Sequence, residues 1–546
     1  MTGGLLNIKS YGNQNVLFNG NPKKTFFKAT YNKHTNFGMQ RFRINYEGTR
    51  MLNPNSDTIL TFKIPRYADL LYDSYFVFTL PDIWSPFFFK ENEDKSIQLI
   101  PYEFKWIQEI GSSLIKNIEI KSGGSIISNY SGEYLSCLNQ RDFTEEKKLL
   151  WNKMTGNVKE INDPANSYGR INVYPNAFYN KQNNIEPSIR GRQLYIPLGS
   201  VFGDSSKSAL PLIAIQYQDI EINVTLRPLY DLFTINNIDD VENSTGISYR
   251  IRPNPNETHH QMWKFLQEPK SNSISNDDYI IPKDGVGNFW KPDPHLISTY
   301  IFLDEDERQY FAKAEHKILI KQCFQYDFLS VHGSKIIELE SNNVISNYMW
   351  RFRRNDCHLR NQWNNYSNWP YKDVTPQPLT FLDNTITNIN NPNNFFITNN
   401  IGTYPNNLKH ILLDLGIVIG GQYRENTLQE GVYNYIEKYN RTKGNAREGL
   451  YCYNFAINNN RREYQPSGGM NMTKFKNVLF EFNTIEPPIK TEGTAVNFVC
   501  DDDGNAIGFR KKSEDLTEYS FDLRVFEERY NMLVIKGGQM GLLNAE

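Results

Sequence analysis

Two-residue alternation of apolar and polar side chains is the feature that most constrains what this chain can become. The run Ile220-Glu221-Ile222-Asn223-Val224-Thr225-Leu226-Arg227 alternates without a break, and so does Arg41-Phe42-Arg43-Ile44-Asn45-Tyr46-Glu47. Shorter copies occur at Ile118-Glu119-Ile120-Lys121, at Trp350-Arg351-Phe352-Arg353 and over 478–482. Successive side chains of an extended strand point to opposite faces, so each run predicts a strand with one apolar and one polar face. That is the signature of antiparallel sheets resting one face on a core. Turn chemistry separates the runs: Ser122-Gly123-Gly124, Gly420-Gly421, Ser467-Gly468-Gly469 and Asp503-Gly504. Helical spacing is confined to three places. Residues 132–154 read as one helix or two, with Tyr134, Leu135, Leu138, Leu149 and Leu150 as buried positions. Residues 304–319 start on a capping Asp304 with Glu307 three residues on, and carry the stripe Tyr310, Phe311, Ala314 and Ile318. Residues 426–439 are the third. No strand–helix–strand rhythm appears, which argues against a parallel sheet.

A length of 546 residues exceeds one ordinary core and predicts two domains. The 33 Tyr and 34 Phe suit pleated, half-buried surfaces. Strand-rich blocks fall at about 25–228 and 297–546. Between and within them, 229–296 and 364–408 are Asn- and Pro-rich with little periodicity, and read as loop insertions. Residues 1–24 read as an N-terminal arm. A net charge of −2 argues against a protein that coats nucleic acid, which would carry a basic surplus, so no specific nucleic-acid binding is expected. The five Cys, at 137, 323, 357, 452 and 500, form no C-x-x-C pair and read as free thiols in a reducing compartment. No secretory leader is read, and the longest apolar run, 411–419, falls far below the ~20 residues of a spanning helix. The expectation is a soluble protein made in the cytosol.

Catalytic chemistry finds no foothold. His259-His260 lacks the spacing of a metal pair, and the acidic group at 304–307 is what a helix N-terminus favours. Asp501-Asp502-Asp503-Gly504 opens like a calcium loop but lacks the closing Glu. Ser467 has no nucleophile-elbow context and sits in a turn. No catalytic, cofactor-binding or metal-binding residue is assigned, and no enzyme activity is expected.

Five further motifs are spread through the chain. The first is Gly3-Gly4-Leu5-Leu6, Gly20-Asn21-Pro22, Phe26-Phe27 and His34-Thr35-Asn36-Phe37. Next come Ala209-Leu210-Pro211-Leu212-Ile213-Ala214, then Leu303-Asp304-Glu305-Asp306-Glu307-Arg308. Gln465-Pro466-Ser467-Gly468 and Tyr530-Asn531-Met532-Leu533 with Gly537-Gly538 complete the set. Each is weak alone, but together and in this order they closely resemble the major capsid proteins of the nucleocytoplasmic large DNA viruses. The sequence departs from that family at Asn32-Lys33 and at Gly469-Met470, which leaves the lineage open. The resemblance implies an all-β chain of two tandem eight-stranded jelly-roll sandwiches with a few short helices and long loop insertions. It implies a homotrimer whose six sandwiches make a pseudo-hexagonal capsomer of an icosahedral shell. The partners it implies are neighbouring capsomers, minor capsid and penton proteins, and an internal membrane near the inner face. Residues 1–24 would run along that inner face, the 304–308 helix would open the second jelly roll, and the long loops would point outward. The chain would be made in host cytoplasm and reside in the virion. A scaffold protein of the same fold is the alternative, with a carbohydrate-binding sandwich using Trp363 and Trp369 more remote. Because permanent interfaces favour aromatic and Arg residues, Trp350, Arg351, Arg353 and Trp363 are the candidate intersubunit contact, the alternative being a strand and loop with a solvated charged face.

Overall fold

The alternating runs become long strands in two sets of eight. The structure, a computed structural model, describes residues 3–48, 52–91, 94–179, 185–199, 202–203, 205–238, 250–270, 290–374, 408–463, 465–488, 497–500, 506–510 and 517–544. The first set is β1 (Phe37–Asn45), β2 (Thr58–Lys63), β3 (Leu70–Leu80), β4 (Ile115–Ser122), β5 (Ser125–Tyr130), β6 (Arg192–Pro197), β7 (Ile220–Leu226) and β8 (His295–Leu303). One sheet runs β1-β8-β3-β6 and the other β2-β7-β4-β5, all antiparallel. The second set is β9 (His316–Val331), β10 (Ser334–Leu339), β11 (Val344–Arg354), β12 (Leu412–Ile419), β13 (Gln422–Gln429), β14 (Leu450–Asn454), β15 (Val478–Thr484) and β16 (Phe521–Lys536). It repeats the order, with sheets β9-β16-β11-β14 and β10-β15-β12-β13. In each set the first strand lies beside the last. Each is an eight-stranded jelly roll, a two-layer solution that leaves only short edges.

Alternation located the cores well where one face meets water. In β7, Ile220, Ile222, Val224 and Leu226 are buried and the residues between them are half-buried. They pack with Phe62, Phe76 and Phe78 in the first core. In β15, Val478, Phe480 and Phe482 face the second core with Trp350 and Phe352. No helix among the described residues is long and apolar enough to cross a membrane.

Several expected boundaries move. The strand at 295–303 pairs with both β1 and β3, so it closes the first sandwich and does not begin the second block at 297. The span 229–296 is not merely an insertion. Phe233 stacks on Phe104 with ring centroids 4.6 Å apart, Met262, Phe265 and Trp290 lie in the first core, and the Trp290 indole donates to the Thr79 carbonyl at 2.8 Å. These residues sit on a four-residue helix, a four-residue strand and irregular backbone, too short for a period to be read. Residues 239–249 and 271–289 lie outside the described residues.

The helices also differ from expectation. Residues 132–154 form α1 (Gly132–Asp142) and α2 (Glu145–Thr155). Tyr134, Leu135 and Leu138 are buried as predicted, but Leu149 and Leu150 are exposed, and Trp151 takes the inward face of α2. The third helix, α3 (Glu305–Lys313), starts on Asp304, whose carboxylate accepts from the Glu305 N–H at 3.0 Å. It ends six residues early because 316 onward pairs with β16, so Ile318 belongs to a strand. Residues 426–439 divide between the end of β13 and a helical segment over 432–441.

Candidate functional site: the seam between the two sandwiches

α1 lies across the outer face of the β9-β16-β11-β14 sheet. Its N-cap Ser131 accepts from the Tyr134 N–H at 3.2 Å, which sets its first turn. Gly132 is required there, since a Cβ would fall on the carbonyl oxygens of Ser112 and Ile115. From this helix Glu133, Gln140, Arg141 and Asp142, all buried, reach the second half of the chain. Opposite them, β11 offers Asn347, Arg351 and Arg353 from the face that alternates with Tyr348, Trp350 and Phe352. β16 offers Arg524 and Glu528.

Three ionic knots result. Glu133 receives Arg351 side-on, Nε to Oε1 at 2.6 Å and Nη2 to Oε2 at 3.2 Å. It also takes Arg524 at 2.5 Å, the Tyr366 hydroxyl at 3.1 Å and Arg353 at 3.7 Å. Arg141, fully enclosed, donates to Asp142 at 2.7 Å, to the Asn347 side chain at 2.9 Å and to Glu528 at 3.2 Å. Glu528 accepts in addition from Tyr134 at 2.6 Å and from Asn347 at 2.5 Å. Glu109, just before α1 in space, binds Arg447 at 2.7 Å, Ser136 at 2.5 Å and Gln140 at 3.0 Å. Burial works to raise the pKa of each of these carboxyls. For Glu133 the guanidiniums of Arg351, Arg524 and Arg353 prevail and hold it well below the ordinary 4.5. Arg141, Lys321 and Arg461 do the same for Glu528, and Arg447 and Lys372 for Glu109.

A second tie runs through 361–369. The Asn361 amide donates to the carbonyls of Tyr230 and Phe233, both at 2.8 Å, and Asn364 donates to Gln108 at 3.0 Å and Ser113 at 2.9 Å. The Trp363 indole donates to Asp231 at 2.9 Å, and its ring carries Arg227 at 4.6 Å and Arg353 at 5.6 Å. Trp369 carries Lys409 at 5.6 Å, so neither Trp is a bare platform for a sugar. Asn365 is buried, and 364–374 is packed rather than an outward loop. Residues 375–407 lie outside the described residues.

The expected intersubunit residues are therefore spent inside one chain. Trp350 lies in the second core, and Arg351, Arg353 and Trp363 build the seam. Polar alternation on β11 is real, but a helix of the same chain covers that face. Glu133, Arg141, Arg524 and Glu528 were not picked out beforehand. A charge at every second strand position reads the same whether water or a helix lies over it.

The family motifs scatter. Gly20, Asn21, Pro22, Phe26, Phe27, His34 and Asn36 lie on the surface, with Phe27 98% exposed, and Phe37 opens β1. The arm itself forms short helices at Gly3–Lys9 and Val16–Asn19. Leu303 packs with Leu70, Ala209, Ile301 and Phe311. Arg308 holds Asp69 at 3.0 Å, and Asp69 accepts from the Leu303 N–H at 2.9 Å. The 303–308 motif thus clamps α3 onto the first sandwich instead of opening the second; Asp306 and Glu307 stand in its acidic first turn. Ser467 makes a turn, its hydroxyl donating to the Asn458 carbonyl at 2.7 Å, with Gly468 at φ 134° beside it. Gln465 and Pro466 line a cavity with Ser205, Lys317 and Tyr530. Cys137, Cys323, Cys357 and Cys452 are free, and burial pushes the Cys137 thiol up to about 12 and Cys452 to about 11. No cluster of metal-ligating side chains occurs among the described residues.

Known proteins agree with this architecture. The family of the major capsid protein N-terminus matches residues 25–263, and that of the large eukaryotic DNA virus major capsid protein matches 307–541. The major capsid protein of Paramecium bursaria Chlorella virus 1 is 23% identical over 552 residues, covering 100% of both chains. That of Phaeocystis pouchetii virus is 27% identical over 361 residues, 64% of this chain and 58% of that one. Capsid protein 1 of Acanthamoeba polyphaga mimivirus is 27% identical over 322 residues, 59% of this chain and 43% of that one. This chain thus spans about half the length of these last two relatives. In three dimensions it matches the PBCV-1 virus capsid protein with a TM-score of 0.60 at 18% identity, over 96% of this chain and 100% of that one. The Faustovirus major capsid protein gives 0.60 at 12% identity, over 94% and 93%. The chain belongs to the major capsid protein family of the large eukaryotic DNA viruses, a family of structural capsid proteins and not of enzymes.

Proposed function

We propose that three copies of this chain form a pseudo-hexagonal capsomer, and that many such capsomers tile the icosahedral shell of a large DNA virus. The observation that carries this reading is the pair of eight-stranded sandwiches locked side by side through a charged, buried seam. Two rigid units per chain give six per trimer, which approximates a hexagon. The arm supports an inward-facing role for residues 1–24 and the motif after it. Leu17, Phe18, Phe26 and Phe27 are almost fully exposed, with Phe18 at 90%. An apolar segment of this kind fits burial on assembly, against neighbouring copies, minor capsid and penton proteins, or the side of an internal membrane. Free buried thiols suit synthesis in a reducing host cytoplasm. A net charge of −2 suits a shell that does not bind the genome directly.

Electron microscopy of the purified full chain tests the reading. Trimers with a hexagonal outline are expected, and a stable monomer or an assembly without threefold symmetry refutes it. Deleting residues 1–24 should leave folded trimers and weaken shell assembly; loss of the trimer itself counts against the inward arm. Mass spectrometry of mature virions separates shell from scaffold, because a scaffold is absent there.

A further inference from the structure

The two sandwiches share more than their strand order. In each, a helix follows directly on the fifth strand, α1 after β5 and the helical segment 432–441 after β13. In α1 the sixth, seventh, tenth and eleventh residues past Tyr130 are Ser136, Cys137, Gln140 and Arg141, and all four meet the second half of the chain. Ser136 accepts from Arg447 at 3.1 Å, and Gln140 accepts from the same guanidinium at 2.9 Å. Cys137 lies 3.6 Å from the Tyr366 hydroxyl, and Arg141 donates to Glu528. Counted the same way past Gln429, the residues are Tyr435, Ile436, Tyr439 and Asn440. Those are the exposed positions of 432–441, with Tyr439 89% exposed.

The sheet that α1 covers has a counterpart too. On the second sandwich, Phe526, Met349 and Cys452 stand side by side across β16, β11 and β14. All three are fully buried on the outer face, where the Tyr134 ring of α1 lies 5.7 Å from that of Phe526. On the first sandwich, Arg43, Ile297, Tyr75 and Pro197 form the matching row across β1, β8, β3 and β6. They alternate with the core residues Ile44, Leu296, Phe76 and Ile196, so they too face outward. Here Arg43 is exposed and the other three are half-buried, with an exposed Tyr195 beside them on β6. The row is open where its counterpart is closed. One helix and one sheet face are thus matched within the chain, and one of each is left over.

We infer that the helical segment 432–441 of each copy lies across the outer face of β1-β8-β3-β6 of the next copy, repeating between chains the helix-on-sheet contact that α1 makes within one. This rests on the threefold assembly proposed above and names its contact surface. The chemistry fits as well as the position. The four exposed helix positions carry two Tyr rings, an Ile and an Asn and no charge, and the sheet offers Arg41, Arg43 and Tyr195. No cation meets a cation, and guanidinium against Tyr is a favoured interface pairing. The contact is head-to-tail, using a different surface on each side, so it runs on from copy to copy and closes as a ring under a threefold rotation. It also covers the apolar helix face that a single chain leaves in water.

Size-exclusion chromatography with light scattering, on the full chain and two variants, tests this. Ile436→Lys/Tyr439→Lys alters the helix and Tyr195→Lys the sheet; all three side chains are exposed in the single chain, and circular dichroism checks that each variant folds. The parent is expected as a trimer, and each variant should need about tenfold more protein, or more, to reach half assembly. A folded variant of either kind that assembles within about threefold of the parent overturns the contact surface and leaves the threefold assembly standing. A monomeric parent overturns both. If a variant does not fold, hydroxyl-radical footprinting of the parent decides. Tyr439 and Tyr195 should both oxidise more slowly in the trimer than in the chain dissociated by dilution, and equal rates at either overturn the surface.

Discussion

Replacing Glu133 by Gln is the sharpest probe of the seam. The carboxylate is the counter-charge of Arg351 and Arg353, both buried, and it shares Arg524 with Asp327. Gln keeps the volume and removes the charge, so two guanidiniums stay buried without compensation. Breaking a buried pair from one side costs about 3–5 kcal/mol, and two stranded cations place this case near 4 kcal/mol. If the second sandwich unfolds as one unit, each kcal/mol lowers its midpoint by about 2–4 °C, so a fall of about 8–16 °C is expected. Tryptophan fluorescence reads it directly, because Trp350 sits on the same strand as Arg351. Arg351→Met alone should cost less, about 3 kcal/mol, since Arg524 at 2.5 Å still holds Glu133. The double variant should then be more stable than Glu133→Gln alone, because it removes one stranded cation. The drop should also be the same across a wide range of protein concentration, as an intrachain contact demands. A drop of less than about 3 °C, a double variant below the single one, or a drop that varies with concentration would refute the seam as described.

Acid should act through the same knots. Glu133, Glu528 and Glu109 have folded pKa values below the ordinary 4.5, so their contribution is fully present above that value and is lost as pH falls through the folded values. A midpoint nearly level down to about pH 5 and falling steeply below it is expected, with Glu133→Gln showing a shallower fall. Gly132→Ala should cost about 3 kcal/mol or more, since its methyl has two carbonyl oxygens in its way; soluble yield and unfolding midpoint check it.

Much of the architecture was legible from alternation. The strand at Ile220–Leu226 and its buried face follow directly from period two, as does the inner face of β11 at Tyr348, Trp350 and Phe352. What period cannot report is what lies on the other face. Arg351 and Arg353 alternate as a solvated strand would, and only the path of α1 decides that Glu133 meets them. Residues outside regular elements are equally opaque. Phe233, Phe265 and Trp290 are core residues on a four-residue strand, a four-residue helix and irregular backbone, pieces too short to show a period, so 229–296 reads as surface loop. In α2, Leu149 and Leu150 looked the better core residues on hydrophobicity, but the helix's rotation over β6 turns Trp151 inward. The end of the first sandwich was misplaced for a related reason. A strand carries no mark of which earlier strand it will join, and β8 reaches back from Leu303 to Phe37.

That reach has a consequence for how the chain is made. The opening strand of each sandwich lies beside its closing strand, so neither jelly roll can complete its first sheet until its last strand has left the ribosome. At roughly 5–20 residues per second, β1 waits on the order of 13–50 s for β8, its edge unpaired meanwhile. The seam waits longer still, since Glu528 and Arg524 lie on β16, the last long strand to emerge. A nascent wall subunit therefore passes through a long interval as a half-closed first sandwich, and then as a closed one whose charged helix α1 has no sheet to lie on. Slow closure of such distant pairs is where aggregation competes with folding, so the interval before the second half arrives is the one in which the chain is most open to it.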